Sequence, residues 1–305
     1  MNTYNIRTLF KLLNTLALVV LLTAATTGCR KKTSAPQKVY LEANIMSPSE
    51  LKASNGDWDI SDRVGLYMKA SGKELTEAND RWSHNNVQMR IYGRTLVSDP
   101  QLFYPLSGTV DFIAYYPYTS EPGYTIDVNV ANQAAGTFME PLYSCNATNQ
   151  APVDSPVTLN FISPLAKLAV TVTEVEGSAQ MTGFDFAVMT VSIDGMYTGA
   201  MFQLTDGAFV EHQKKGVVTM RKTNNTLSSA TFEASVLPFA GDAIFLFNVG
   251  GVILSYEIDL RYAGGYEYRF DFGLNTSNDA QQAVTMLNSA IIIPRAAVNL
   301  NRITF

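Results

Sequence analysis

Residues 157–173 read VTLNFISPLAKLAVTVT. Val157, Leu159 and Phe161 alternate with Thr158 and Asn160. Beyond Ser163-Pro164, Leu168, Val170 and Val172 alternate with Ala169, Thr171 and Thr173. A period of two places the apolar side chains on one face of an extended chain, so the stretch predicts two half-buried β-strands with a turn between them.

The same signature recurs outward in both directions. Tyr124, Ile126, Val128 and Val130 alternate with polar residues, as do Leu254 to Leu260 and Tyr266 to Phe272. Val39 and Leu41, with Ala43, mark an earlier strand. Residues 110–116 (VDFIAYY) and 243–249 (AIFLFNV) are apolar nearly throughout, which predicts strands buried on both faces. Gly, Pro, Asn and Asp punctuate the runs, and AGG at 263–265 predicts a hairpin turn. Residues 279–290 are expected to form a short helix; no other segment after the N-terminus carries a helical period. Many short strands separated by turns point to all-β sandwich architecture. The length favours two in tandem, over residues 39–162 and 163–305, with no exact internal repeat.

Composition narrows the function classes. Only 16% of residues are charged, against about 25% in ordinary soluble proteins. The chain has 15 Tyr and 16 Phe but two His and two Cys. A His-rich metal centre or a disulfide scaffold cannot be built from that inventory. A net charge of −5 lacks the basic footprint of a nucleic-acid binder. His84 and His212 have no sequence neighbour that would make them a ligand or base. No nucleophile elbow, phosphate loop or dinucleotide fingerprint occurs. Asp57, Asp59 and Asp62 beside Asn55-Gly56 offer oxygen ligands but lack EF-hand spacing. The expectation is a non-enzymatic protein with no cofactor and no metal.

The N-terminus has the order of a secretory signal: Arg7 and Lys11, an apolar run over 12–22, then small residues to Gly28 and Cys29. The run is too short for an ordinary spanning helix of roughly 20 residues. TTGC resembles a bacterial lipobox, which implies cleavage between Gly28 and Cys29 and lipid on Cys29; Thr26 stands where such boxes usually have Leu. The other reading is a plain secretory peptide with Cys29 incidental. Removal of residues 1–28 takes away Arg7 and Lys11 and moves the net charge from −5 to −7. Residues 29–38, ending RKKTSAPQK, read as a tether. Cys145 is then the one remaining thiol, with no second cysteine in the chain for a disulfide. It reads as a small buried hydrophobe, with a reactive nucleophile as the alternative.

Three strings, in order behind the lipobox, carry a family resemblance: WDISDRVGLYM at 58–68, FYPLSGTVDFIAYYPY at 103–118, and the opening stretch at 157–173. Together they resemble the fimbrillins of Bacteroidetes, lipoprotein precursors of type V pilus subunits and their anchor or tip relatives. Ser163-Pro164 replaces a His common in that family, so no role is carried over for it. The resemblance implies two transthyretin-like β-sandwiches, an outer-membrane or cell-surface location, and other fimbrial subunits as partners. It also implies assembly by donor-strand exchange, in which a protease removes the first strand and a neighbour's strand fills the groove. Here the removable strand would be Val39–Ile45, with Lys52 or Arg63 as processing sites; the alternative is an uncleaved anchor. A different class, a cell-surface glycan-binding lipoprotein, shares lipidation, acidity and β-architecture, and the order of the three strings separates the two. The aromatic strip Phe112, Tyr115, Tyr116 and Tyr118, and Trp58 and Trp82, read as packing or as a carbohydrate platform. A host or bacterial surface glycan or protein is the further partner expected of an adhesin.

Overall fold

The computed structural model describes residues 35–46, 58–75, 84–120, 123–136, 138–175, 185–212, 214–275 and 284–294. The described residues are all-β and contain no helix. The first eight strands are β1 (Leu41–Ile45), β2 (Arg63–Ala70), β3 (His84–Tyr92), β4 (Thr95–Val97), β5 (Val110–Tyr116), β6 (Thr125–Asn129), β7 (Leu142–Ser144) and β8 (Val157–Phe161). Seven of these form one sheet in the order β7-β5-β2-β3-β4-β1-β8. Its two end strands meet. The Tyr143 amide donates to the Ile162 carbonyl at 2.8 Å, and the Ile162 amide donates back to Tyr143 at 2.9 Å. The sheet therefore curls until its edges are tied, which removes exposed edge groups.

The remaining strands are β9 (Ala166–Glu174), β10 (Thr190–Tyr197), β11 (Gly199–Gln203), β12 (Phe209–Val210), β13 (Lys215–Thr219), β14 (Arg221–Asn225), β15 (Ser229–Val236), β16 (Phe239–Val249), β17 (Val252–Tyr262), β18 (Tyr266–Leu274) and β19 (Val284–Pro294). They build sheets β14-β15-β9-β18-β19 and β13-β10-β16-β17. The sixth strand leaves its sequence neighbours and joins β12-β11-β6, pairing Gly199–Gln203 with Thr125–Asn129.

Two hydrophobic clusters result. One gathers Leu41, Leu66, Phe112, Leu159 and Phe161 inside the seven-stranded sheet. The other gathers Val170, Phe232, Phe245, Phe247 and Phe272 with Ile126, Val128 and Val130. The fifth strand is buried along its whole length, Asp111 included, as its nearly continuous apolar run predicts. Phe112, Ala114 and Tyr116 enter the first cluster, whereas Ile113 and Tyr115 enter the second. Alternation on one strand thus supplies both cores.

Four local expectations change. Residues 243–249 are not buried on both faces: Ala243, Phe245 and Phe247 point inward, while Ile244 and Leu246 are half-buried and Asn248 is exposed. Their outer face lies opposite Ser255 and Glu257 of the neighbouring strand rather than under another layer. Residues 284–290 of the expected helix are strand, because pairing with β18 supplies their backbone partners; residues 279–283 lie outside the described residues. AGG at 263–265 makes no hairpin. It carries the chain from β17 into the other sheet, with the Gly265 amide on the Leu165 carbonyl at 2.9 Å. A tight hairpin forms instead at Gly250-Gly251, both with positive φ, between Val249 and Val252. Finally, Cys145 is exposed, because β7 ends at Ser144 and the chain turns outward there.

Candidate functional site: the first strand and its slot

Leu41 faces Leu96 on one side and Val157 on the other. The first strand is antiparallel to β4 and parallel to β8, in register from Leu41↔Val157 to Ile45↔Phe161. Val39, Leu41 and Ala43 are buried, and Tyr40 and Glu42 alternate with them on the outer face. Backbone bonds hold both edges. Val39 donates to Leu102 at 2.9 Å and Ala43 to Arg94 at 2.7 Å, while Val157 donates to Tyr40 at 2.9 Å. The Met46 amide closes the strand on Phe161 at 2.9 Å. Withdrawing this strand would strip pairing from both neighbours and open a strip of core lined by Leu96, Val157, Leu159 and Phe161. An extended peptide with apolar residues at alternate positions complements such a slot.

One ring from each of the three sequence strings meets beside the slot. Trp58 stands edge-on to Tyr116, with centroids 5.6 Å apart, and edge-on to Phe161 at 5.2 Å. The Tyr116 hydroxyl donates to Asp62 Oδ1 at 2.8 Å, and the other oxygen of Asp62 accepts from the Asp59 amide at 2.6 Å. Burial, followed by the Asp59 charge, raises the Tyr116 hydroxyl above its ordinary value and keeps it a donor. Asp59 itself accepts from the Ser61 amide and hydroxyl. These two acids therefore shape the turn into β2; Asp57 lies outside the described residues.

The aromatic strip is packing. Phe112, Tyr115 and Tyr116 are buried, and Tyr118 is half-buried. Tyr115 donates to Asn86 Oδ1 at 2.8 Å. Arg63 begins β2, where its carbonyl accepts from the Tyr118 amide at 2.9 Å. Its guanidinium bonds the carbonyls of Ile60 and Asp62. Gly28, Cys29, Lys52 and Trp82 lie outside the described residues, as does the side chain of His84. His212 is exposed against the Tyr197 ring at 4.7 Å, far in sequence from the slot.

Residues 52–288 match the family model described as fimbrillin-like. The chain belongs to the fimbrillin-like family. The match begins just past the first strand and runs to β19. A curated relative, "Putative fimbrium subunit Fim1C" of Bacteroides uniformis, is 28% identical over 176 residues. That alignment spans 56% of this chain and 56% of the relative, so only about half of the relative's length is matched. Two solved structures share the fold. A "putative cell adhesion protein" from Bacteroides uniformis covers 84% of this chain and 98% of its own length, at 20% identity and a TM-score of 0.62. A second, of the same description, from Bacteroides ovatus covers 85% and 99%, at 16% identity and a TM-score of 0.62.

Sequence reasoning missed two residues, Gln133 and Tyr143, that join distant segments around the second core. The buried Gln133 side chain donates to the Val130 and Ser235 carbonyls and accepts from the Ser235 amide at 2.9 Å. Tyr143 donates to the Leu204 carbonyl at 3.0 Å and packs edge-on against Phe202 at 5.2 Å. No local pattern marks either residue, because Ser235 lies 102 positions from Gln133 and Leu204 lies 61 positions from Tyr143.

Proposed function

We propose that this fimbrillin-like chain is a fimbrial subunit or pilus anchor, lipidated at Cys29 at the outer membrane, whose N-terminal sheet takes part in donor-strand exchange. The observation that carries the reading is the setting of Val39–Ile45. A short strand lies between two others, inserts alternate apolar side chains into the core, and is joined to the next strand only by the stretch after Met46. The family membership and the fimbrium-subunit relative support it. Division at residues 162/163 into an exchanging N-terminal domain and a C-terminal domain belongs to the same proposal. Lys52 is the favoured cleavage point: it lies between the first strand and the turn at Trp58, whereas Arg63 has its carbonyl committed to the sheet. The exchanged contact resembles a domain core and is long-lived.

N-terminal sequencing of the surface-extracted protein tests this. A start at Ala53, with a ladder of oligomers that resists unheated detergent and collapses on boiling, is the expected result. A start at Cys29 with monomer alone overturns exchange at this slot.

A further inference from the structure

We propose that the outer face of the first strand and its neighbours is a membrane-docking face, which lies on an anionic phospholipid headgroup surface while Val39–Ile45 remains in place. The proposal rests on the reading of Cys29 as a lipid anchor, which holds the chain beside the bilayer. Lys38 and Phe103 form an antiparallel bridge, so their side chains share a face, and Tyr40 follows two residues along on that same face. Thr95 stands opposite Glu42 on one side and Tyr92 on the other, and Val97 stands opposite Arg90. Tyr40 is 43% exposed, Tyr92 51%, Val97 41% and Phe103 39%. The residues that alternate with them, Val39, Leu41, Ile91, Leu96 and Leu102, are all buried. The exposed rings therefore are not part of the core. Lys38, Arg90 and Arg94 are exposed on or beside the face, against Glu42 on it and Asp99 past its edge.

What covers this face follows from the tether. Lys38 lies nine positions after Cys29, and chain geometry caps that reach at about 30 Å. Arg30, Lys31 and Lys32 follow Cys29 directly. The chain from Cys29 onward, of net charge −7, thus carries cations directly after its anchor in sequence and again on the face that begins at Lys38. Tyrosine and phenylalanine beside lysine and arginine suit the boundary between acyl chains and headgroups. Basic residues there gain from anionic lipid. Acyl chains on Cys29 hold the chain at the bilayer without orienting it, so a contact of this kind fixes the orientation. A neutral surface would gain nothing from the cations.

The test uses the chain of residues 29–305 carrying Cys29→Ser, so that neither the apolar run at 12–22 nor an acyl group contributes. It is sedimented with vesicles of phosphatidylcholine alone or mixed with phosphatidylglycerol. Binding only to the mixed vesicles, weakened by salt, is expected. Arg90→Glu with Arg94→Glu weakens it about tenfold or more, and Tyr40→Ser with Tyr92→Ser weakens it as well. The distant exposed Lys214→Glu leaves it unchanged. Equal sedimentation with both vesicle types, or an unchanged double arginine variant of normal thermal stability, overturns the proposal. Mass spectrometry of a Lys52→Gln protein with Cys29 intact, which keeps the first strand attached, reads acylation at Cys29 separately. An unacylated chain sinks the anchor reading, whereas an acylated chain whose Cys29→Ser form ignores vesicles sinks the docking face alone.

Discussion

Gly65 lies under the ring of Tyr115. The two are opposite each other on β2 and β5, and a Cβ at residue 65 would meet Tyr115 Cε1 at 2.0 Å. Glycine here serves as a seat for an aromatic side chain, and its φ is not in the left-handed region. With that seat, Tyr115 reaches the second core and bonds Asn86.

Gly65→Ala forces the ring off its rotamer and breaks that hydrogen bond. Overpacking of this kind costs about 1–3 kcal/mol. Urea unfolding should show a lower midpoint with an unchanged slope. A midpoint equal to wild type would mean that the ring moves freely and that the seat is unimportant.

Gly264 has a harder constraint, since its Cβ would sit 2.0 Å from the Pro164 carbonyl oxygen, which is backbone and cannot swing aside. Gly264→Ala should therefore be more damaging than Gly250→Ala at the outer hairpin, where a Cβ meets nothing within 4 Å. At Gly250 only the left-handed φ is strained, which costs roughly 1–2 kcal/mol. Thermal melts of the two variants side by side decide the order.

Much of the fold is legible because period-two alternation is a local signal, and the sheets here bury one face of most strands. The opening stretch shows this: both of its strands form, and Phe161 and Val170 point inward as the alternation requires. What local pattern cannot carry is the choice of partner. AGG carries the turn residues of a hairpin, but nothing within 263–265 says that the next strand joins a different sheet, so the expected hairpin does not form. The first-strand slot is readable through the family resemblance alone, since Val39–Ile45 looks like any half-buried strand. Its parallel pairing with residues 157–161 is set more than 100 positions away. Cys145 shows the reverse failure, where composition suggested burial and one residue past a strand end decided otherwise.

Asp111 gives the acid response of the N-terminal sheet. Lys69 Nζ bonds its Oδ2 at 2.7 Å, Ser71 bonds Oδ1 at 2.6 Å, and the Asn149 amide bonds Oδ1 at 2.8 Å. Burial pushes the carboxyl up, but these bonds and the Lys69 charge together outweigh it, and the net direction is below the ordinary 3.8. A depressed folded-state value means that the stabilisation is complete above that ordinary value. It is lost as the pH falls through the lowered one. Asp111→Asn should cost about 1–3 kcal/mol at neutral pH. It should also flatten the stability curve below pH 3.8 relative to wild type. Parallel curves at every pH would assign the acid sensitivity to other carboxylates.

Leu41 tests the slot itself. It is 2% exposed and packs in the same core cluster as Leu96, Val157 and Leu159. Leu41→Ala removes an anchor of the first strand at a cost of about 2–5 kcal/mol. If β1 is a detachable element, that loss falls on the local opening of the strand before it falls on the whole fold. Trypsin should then cut after Lys52 faster in the variant than in wild type, while the far-ultraviolet signal and the melting of the C-terminal sheets change little. A synthetic peptide of residues 38–46 added in excess should speed that cut further, because it takes the slot and keeps the variant's own first strand out. Global unfolding of the variant, with cleavage spread over both cores and no response to the peptide, would make β1 an inseparable part of the sheet and remove the physical basis for exchange.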